Sequence, residues 1–388
     1  KGFGTVVTGT AISGGISVDS PVEILPKGIK TKVRGLHSHG ELLKAAYAGQ
    51  RVAINLQGIE KDEVERGDVL AAPDRIKPTA VIDATIELLK DDSIASLRSR
   101  SLLHLHSGTS EVIGRIILYD KDELLPGDTA YCQFRLQNNI AVLSGDRYIA
   151  RRFSPLQTIG GGEILDSSPR RRKRKDSYDE LKIFRQGKLE EKLSMKIFYA
   201  GLDGISLSDI EGWIKAEIPD IDEAIKSLIS KGDCIQIEKR LLHKKVFNDF
   251  SQKIISVIKD FHKNNPFRPG MSKEDLRVAF KWLDIKLFES LLNLVRDVKV
   301  EKEIIKSETF RISLSDDKKL LKEKILGILR KSAFNPPMKE DLAKTISVSN
   351  RELDELLKIM ASEGNLVRIN DSLYLPSDSY TKMIDSLK

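Results

Sequence analysis

Lys1-Gly2-Phe3-Gly4-Thr5-Val6-Val7-Thr8-Gly9-Thr10 opens the chain, and its reading decides the fold. Thr5 to Thr8 is dense in β-branched residues, which suit a pleated, half-buried surface. Gly9 and the Gly14-Gly15 pair supply the backbone freedom of a turn. A strand bounded in this way predicts a β-barrel start. Further short runs, Val22–Leu25, Thr31–Leu36, Gln50–Leu56 and Val69–Ala72, are separated by turn residues and predict a closed barrel over residues 1–79.

Pro73 to Pro78 reads as a linker, and strands resume at Ala80–Leu88, His104–His106, Ser110–Tyr119, Thr129–Leu136 and Ile140–Leu143. Leu125-Pro126-Gly127-Asp128 and Ser144-Gly145-Asp146 carry turn chemistry. A second barrel is therefore expected over 80–168, ending in Arg151-Arg152-Phe153-Ser154-Pro155-Leu156-Gln157-Thr158-Ile159-Gly160-Gly161-Gly162-Glu163-Ile164-Leu165-Asp166. The glycine triplet permits close backbone approach. Pro169 is followed by six consecutive cations, Arg170, Arg171, Arg172, Lys173, Arg174 and Lys175, which repel one another and read either as a solvated linker (169–176) or as a phosphate-facing segment.

Beyond Ser177 glycine thins out and helical periodicity takes over. Ser208-Asp209-Ile210, Glu274-Asp275-Leu276 and Glu340-Asp341-Leu342 recur every 66 residues. Each is expected at a helix start, where carboxylates complement the helix dipole. Each precedes a longer amphipathic helix (Ile221–Ser230, Lys286–Val295, Asn350–Glu363) and paired strands: Cys234–Ile237 with Leu241–Lys244, Lys299–Ile304 with Thr309–Ile312, and Asn365–Ile369 with Ser372–Leu375. This is the winged-helix plan repeated over 177–249, 250–316 and 317–378, with 379–388 starting another helix. The fold class is thus multidomain: two β-barrels, then an α-rich array of winged-helix (α+β) units.

Among 388 residues Lys and Arg exceed Asp and Glu by seven, which favours a polyanionic partner. Cys132 and Cys234 are far apart, as in a reducing cytosol without a disulfide framework. No apolar run approaches the ~20 residues that span a bilayer. His37/His39 and His104/His106 could each place two imidazoles on one strand face, fewer than the three or four ligands of a metal site. No G-x-x-x-x-G-K-[ST] occurs, since Gly187-Lys188 lacks both the upstream Gly and the hydroxyl residue, and no nucleophile–base arrangement stands out.

The opening strand, Ala48-Gly49-Gln50-Arg51-Val52-Ala53-Ile54-Asn55-Leu56 and Glu65-Arg66-Gly67-Asp68-Val69-Leu70 together resemble the second domain of EF-Tu-type translational GTPases. The Arg151–Asp166 stretch resembles, more narrowly, the third domain of the SelB family of selenocysteine-specific elongation factors, with Arg152-Phe153 where Arg-Asp is usual. SelB also carries tandem winged helices. The resemblance implies a fragment that starts at the second domain and probes RNA. The missing parts would be a GTPase domain, with its GTP and Mg, and a last winged helix.

The same resemblance implies a cytoplasmic, monomeric factor that uses no membrane. Its partners would be selenocysteinyl-tRNA, the ribosome and an mRNA hairpin. It implies that Arg51, where general factors hold a neutral Asn, lines the aminoacyl pocket together with His39. A selenol is acidic enough to ionise near neutral pH, so a cation there would favour selenolate over a serine hydroxyl. Arg151, Arg152, Gly160, Gly161, Gly162 and the run Arg170–Lys175 are the expected contacts to tRNA or other RNA. The competing reading is a DNA-binding regulator with several helix-turn-helix units. Against it stand the barrels and the acidic residues Asp222, Glu223, Glu289, Glu352, Asp354 and Glu355 in the presumed reading helices.

Overall fold

A computed structural model describes residues 4–170, 178–265, 268–309, 316–332 and 335–386. The chain divides into two compact units, Lys1–Asn248 and Asp249–Lys388.

In the first unit, Thr5–Thr10 pairs antiparallel with Arg51–Leu56, which pairs with Ile29–Ser38, then Pro21–Leu25, then Val69–Ala71. Glu41–Leu43 adds to Ile29–Ser38, and Gly15–Ser17 pairs with Ala45–Tyr47 in a separate ribbon. The ladder does not close on itself among the described residues. These strands enclose a small core of Val22, Ile24, Val33, Leu36, Ala46, Val52, Leu56 and Ile59.

The second barrel is closed. Its order is Leu102–Ser107, Ser110–Leu118, Thr129–Ile140, Thr79–Leu88, Thr158–Asp166 and Arg147–Arg152, which returns to the first. Thr129–Leu136 and Ile140–Leu143, read separately from sequence, are one strand as far as Ile140, with an irregular register after Arg135. Alternating apolar residues such as Ile82, Ala84, Ile86 and Leu88 face the barrel core.

Asp179–Gln186 and Leu189–Tyr199 follow, then the short helix Leu207–Glu211, the longer Ile218–Ser230, and the wing Cys234–Ile237 with Arg240–His243. Ser206 caps the short helix by accepting from the Asp209 amide, as the repeated motif leads one to expect. The core of this winged helix is continuous with the second barrel, for it includes the barrel residues Tyr119 and Leu165 beside Phe184, Ile197, Ile210 and Trp213.

The helix Lys244–Asn264 contains the division between the two units. In the second unit Lys273–Val278 is capped by Ser272 and followed by Ile285–Leu292, capped by Asp284. Phe250, Phe280 and Phe288 meet in its core at ring distances of 5.1 to 6.3 Å. The wing pairs Val298–Glu301 with Ile304–Ser307, not with the expected Thr309–Ile312, of which residues 310–312 lie outside the described residues. The turn falls at Lys302-Glu303, where Lys302 takes a left-handed φ of 55°. A third repeat comprises Asp316–Lys331, Lys339–Ile346, Asn350–Ser362 and the hairpin Leu366–Arg368 with Tyr374–Pro376, and Ser377–Ser386 is helical. No helix among the described residues is long and apolar enough to cross a membrane.

Candidate functional site

The aminoacyl candidates share one end of the first barrel. Ser38↔Glu41 closes a two-residue hairpin turn of His39 and Gly40, both at positive φ (50° and 87°). That is the mark of a type I′ turn, which suits the twist of its strands. His39 therefore lies in the turn and does not share a strand face with His37, contrary to the reading of the first H-x-H pair. Arg51 begins the neighbouring strand opposite Thr10, and the Ser38 hydroxyl donates to the Arg51 carbonyl at 2.8 Å. The hairpin tip and Arg51 are brought together by the backbone. Both Arg51 and His39 are exposed, and Arg51 has no ion-pair partner among the described residues. A surface salt bridge thus does not account for this cation.

On the second barrel, His104 and His106 do share a face. Their rings stack 6.4 Å apart, and Phe153 stacks on His104 at 5.3 Å. Glu111 Oε1 lies 2.8 Å from His104 Nδ1. Arg151 pairs across the ladder with His104, while Arg152 Nη2 donates to the Ala95 carbonyl at 2.8 Å. The buried Arg151 Nε and His106 Nε2 have no hydrogen-bond partner among the described residues.

The glycine triplet has a packing cause. A Cβ at Gly160 would lie 2.1 Å from the Glu87 carbonyl oxygen, at Gly161 2.4 Å from that of Tyr148, and at Gly162 1.8 Å from that of Thr85. These glycines let their strand lie close between two neighbours inside the barrel wall, and that accounts for them without an RNA contact. Arg170, first of the basic run, is taken up by the protein: its Nε donates to the buried Glu180 carboxylate at 2.9 Å, and its guanidinium lies 4.7 Å from the Tyr199 ring centre. Arg171, Arg172, Lys173, Arg174 and Lys175 lie outside the described residues.

Sequence reasoning missed the junction between the second barrel and the first winged helix. Asp166, at the end of the last barrel strand, is 4% exposed. Its Oδ1 accepts from Lys196 Nζ at 2.7 Å, Trp213 Nε1 at 2.7 Å and the Ser168 amide at 2.9 Å. Lys196 also donates to the Ser168 hydroxyl and lies 4.8 Å from the Trp213 ring centre. The Ser144 amide donates to the Trp213 carbonyl and the Lys215 amide to that of Ser144. The inter-barrel linker joins in, with Arg75 paired to Glu211 and Lys77 to Asp209. Burial works against ionising Asp209, but hydrogen bonds from Lys77 and Ser206 outweigh it and hold its carboxyl below the ordinary value. The arrangement is a buried charge with every donor aimed at one oxygen, which holds two domains in one orientation.

Residues 4–71 match elongation factor Tu domain 2, residues 83–171 match the β-barrel domain of selenocysteine-specific elongation factor, and residues 255–307 match the elongation factor SelB winged helix. The selenocysteine-specific elongation factor of Desulfomicrobium baculatum is 30% identical over 396 aligned positions, covering 100% of this chain and 62% of the relative. Along its whole length the chain is similar to selenocysteine-specific elongation factors. The protein of that name from Escherichia coli K12 is 26% identical over 397 positions, with 100% of this chain and 61% of the relative covered. A crystal structure of bacterial selenocysteine-specific elongation factor EF-Sec superposes with a TM-score of 0.60 at 22% identity, over 100% of this chain and 60% of that one, and shares the fold. The chain thus spans about three fifths of the length of these family members.

Proposed function

We propose that this chain handles RNA within a selenocysteine-specific elongation factor. In this reading the first barrel receives the aminoacyl end of selenocysteinyl-tRNA. The second barrel holds the tRNA body through its Arg151 and Arg152 edge. The winged helices reach toward an mRNA hairpin, so that selenocysteine enters at a UGA codon on the ribosome. GTP and Mg, which the family reading assigns to the intact factor, find no P-loop residues in this sequence.

The observation that carries the reading is Arg51, exposed and unpaired among the described residues, beside the His39-Gly40 turn. A guanidinium held there by a strand end offers charge-assisted hydrogen bonds to an anionic selenolate and no comparable gain to a neutral serine hydroxyl. His39, at the turn tip, is suited to contact the ester end of the tRNA. The test is the ratio of affinities for selenocysteinyl-tRNA and seryl-tRNA, measured on the intact factor. Arg51→Ala is expected to reduce that preference by about 1–3 kcal/mol, the range for hydrogen bonds to charged groups. An unchanged ratio refutes the assignment. The regulator reading is disfavoured by the first winged helix, whose helix-turn-helix turn is held against the second barrel by Asp166 and Ser144.

A further inference from the structure

The repeated units use the turn between their two helix-turn-helix helices in different ways. In the first unit the turn after Leu207–Glu211 is buried: Trp213 is 2% exposed and is held by Asp166 and Ser144. In the third unit the turn is short and polar, and its Val348 packs against that unit's own core. In the second unit the equivalent turn, between Lys273–Val278 and Ile285–Leu292, buries Phe280 and Leu283 but leaves other apolar residues exposed. Val278 is 67% exposed, Trp282 61% and Ile285 50%. An indole with two aliphatic neighbours is an unusual thing to leave in water.

Two cations stand near it in sequence, together with the carboxylates Asp284 and Glu289. Lys281 and Lys286 flank the indole in sequence, both are exposed, and neither has an ion-pair partner among the described residues. The nearest carboxylate in sequence, Asp284, is engaged in capping: its Oδ1 accepts from the Lys286 amide at 3.0 Å and the Leu287 amide at 3.1 Å. In helix-turn-helix proteins this start of the second helix is the end that approaches nucleic acid.

We infer that the Trp282 turn of the second winged helix is a binding platform for unpaired RNA, with a base stacked on the indole and the adjoining phosphates met by Lys281 and Lys286. A flat exposed indole suits a base that is free to leave its stack. A-form duplex offers no such face, because its bases are already stacked on one another. Stacking is tolerant of base identity, so the platform would grip single-stranded stretches without strict sequence preference. The inference rests on this unit alone and does not depend on the aminoacyl reading of Arg51.

The test uses the full chain at physiological salt with a fluorescein-labelled twelve-nucleotide unpaired RNA and, beside it, a perfectly paired RNA duplex. Trp282→Ala is expected to weaken binding of the unpaired RNA about tenfold or more, in keeping with alanine substitutions at base-stacking aromatics. Duplex binding should stay within twofold. Trp282→Phe, which keeps a stacking ring, should recover most of the loss, and this separates stacking from misfolding. Lys281→Glu with Lys286→Glu should flatten the salt dependence of unpaired-RNA binding by about two phosphate contacts. Equal affinity of Trp282→Ala and the parent for unpaired RNA overturns the proposal. So does an equal loss for duplex, or a Trp282→Ala defect confined to capture of a ribosomal protein, which would make the turn a protein-docking surface.

Discussion

Lys196→Met isolates the buried junction at Asp166. The change keeps an unbranched chain of similar length, so packing over Trp213 is largely retained, but the ammonium is gone. Asp166 then keeps the Trp213 and Ser168 N–H groups while losing the Lys196 ammonium that hydrogen-bonds it in a largely buried site. Ser168 loses the ammonium from both its hydroxyl and its carbonyl. Breaking a buried ion pair from one side costs about 3–5 kcal/mol, mostly as the penalty of the charge left behind. Asp166→Asn with Lys196→Met removes both charges and leaves an acceptor for the indole, so the double variant should recover more than half of that loss. The assay is urea unfolding followed by Trp213 emission. The chain has two tryptophans, so a Trp282→Phe background leaves Trp213 as the sole reporter. A loss below about 1 kcal/mol for Lys196→Met, or a double variant no better than the single one, would refute the reasoning, because exposed pairs behave that way.

Three further outcomes are expected. Gly162→Ala forces a Cβ to within 1.8 Å of the Thr85 carbonyl oxygen and should cost at least the about 1–3 kcal/mol of overpacking, read as a lowered melting temperature by circular dichroism. Burial pushes the Cys132 thiol well above its ordinary value, and burial with the nearby Asp233 charge pushes Cys234 up to about 11. Since the thiolate is the reactive form, both should resist iodoacetamide at pH 8 until the chain is unfolded, as read by intact mass. Because no P-loop motif is present, the isolated chain should show no saturable binding of a fluorescent GTP analogue, and micromolar binding would contradict this.

The parts legible in the sequence were those written locally. β-branched runs between turn residues marked the barrel strands, and the 66-residue recurrence marked the helix starts, two of which carry a serine cap. Register was harder. The second wing turns at Lys302-Glu303 with no glycine to announce it, so its return strand was read five residues too late. His39 continues an alternating pattern and looked like strand, yet the following Gly40 completes a turn. The run from Arg170 looked uniform, but a buried glutamate ten residues on claims its first member. The Asp166 junction was invisible because its partners lie 30 and 47 residues away, and nothing short of the fold brings them together.

That junction bears on how such arrays can change over time. A tandem repeat is usually thought of as a set of exchangeable modules, each free to be lost, copied or retargeted. The first winged helix has surrendered this freedom: its Trp213 turn is committed to a carboxylate in the preceding barrel, so a copy of the second unit placed there would bring Ala279 at the matching repeat position and leave Asp166 without its indole donor. The first unit therefore acts as a bracket that fixes where the array begins, and variation in what the array grips is left to the units beyond it.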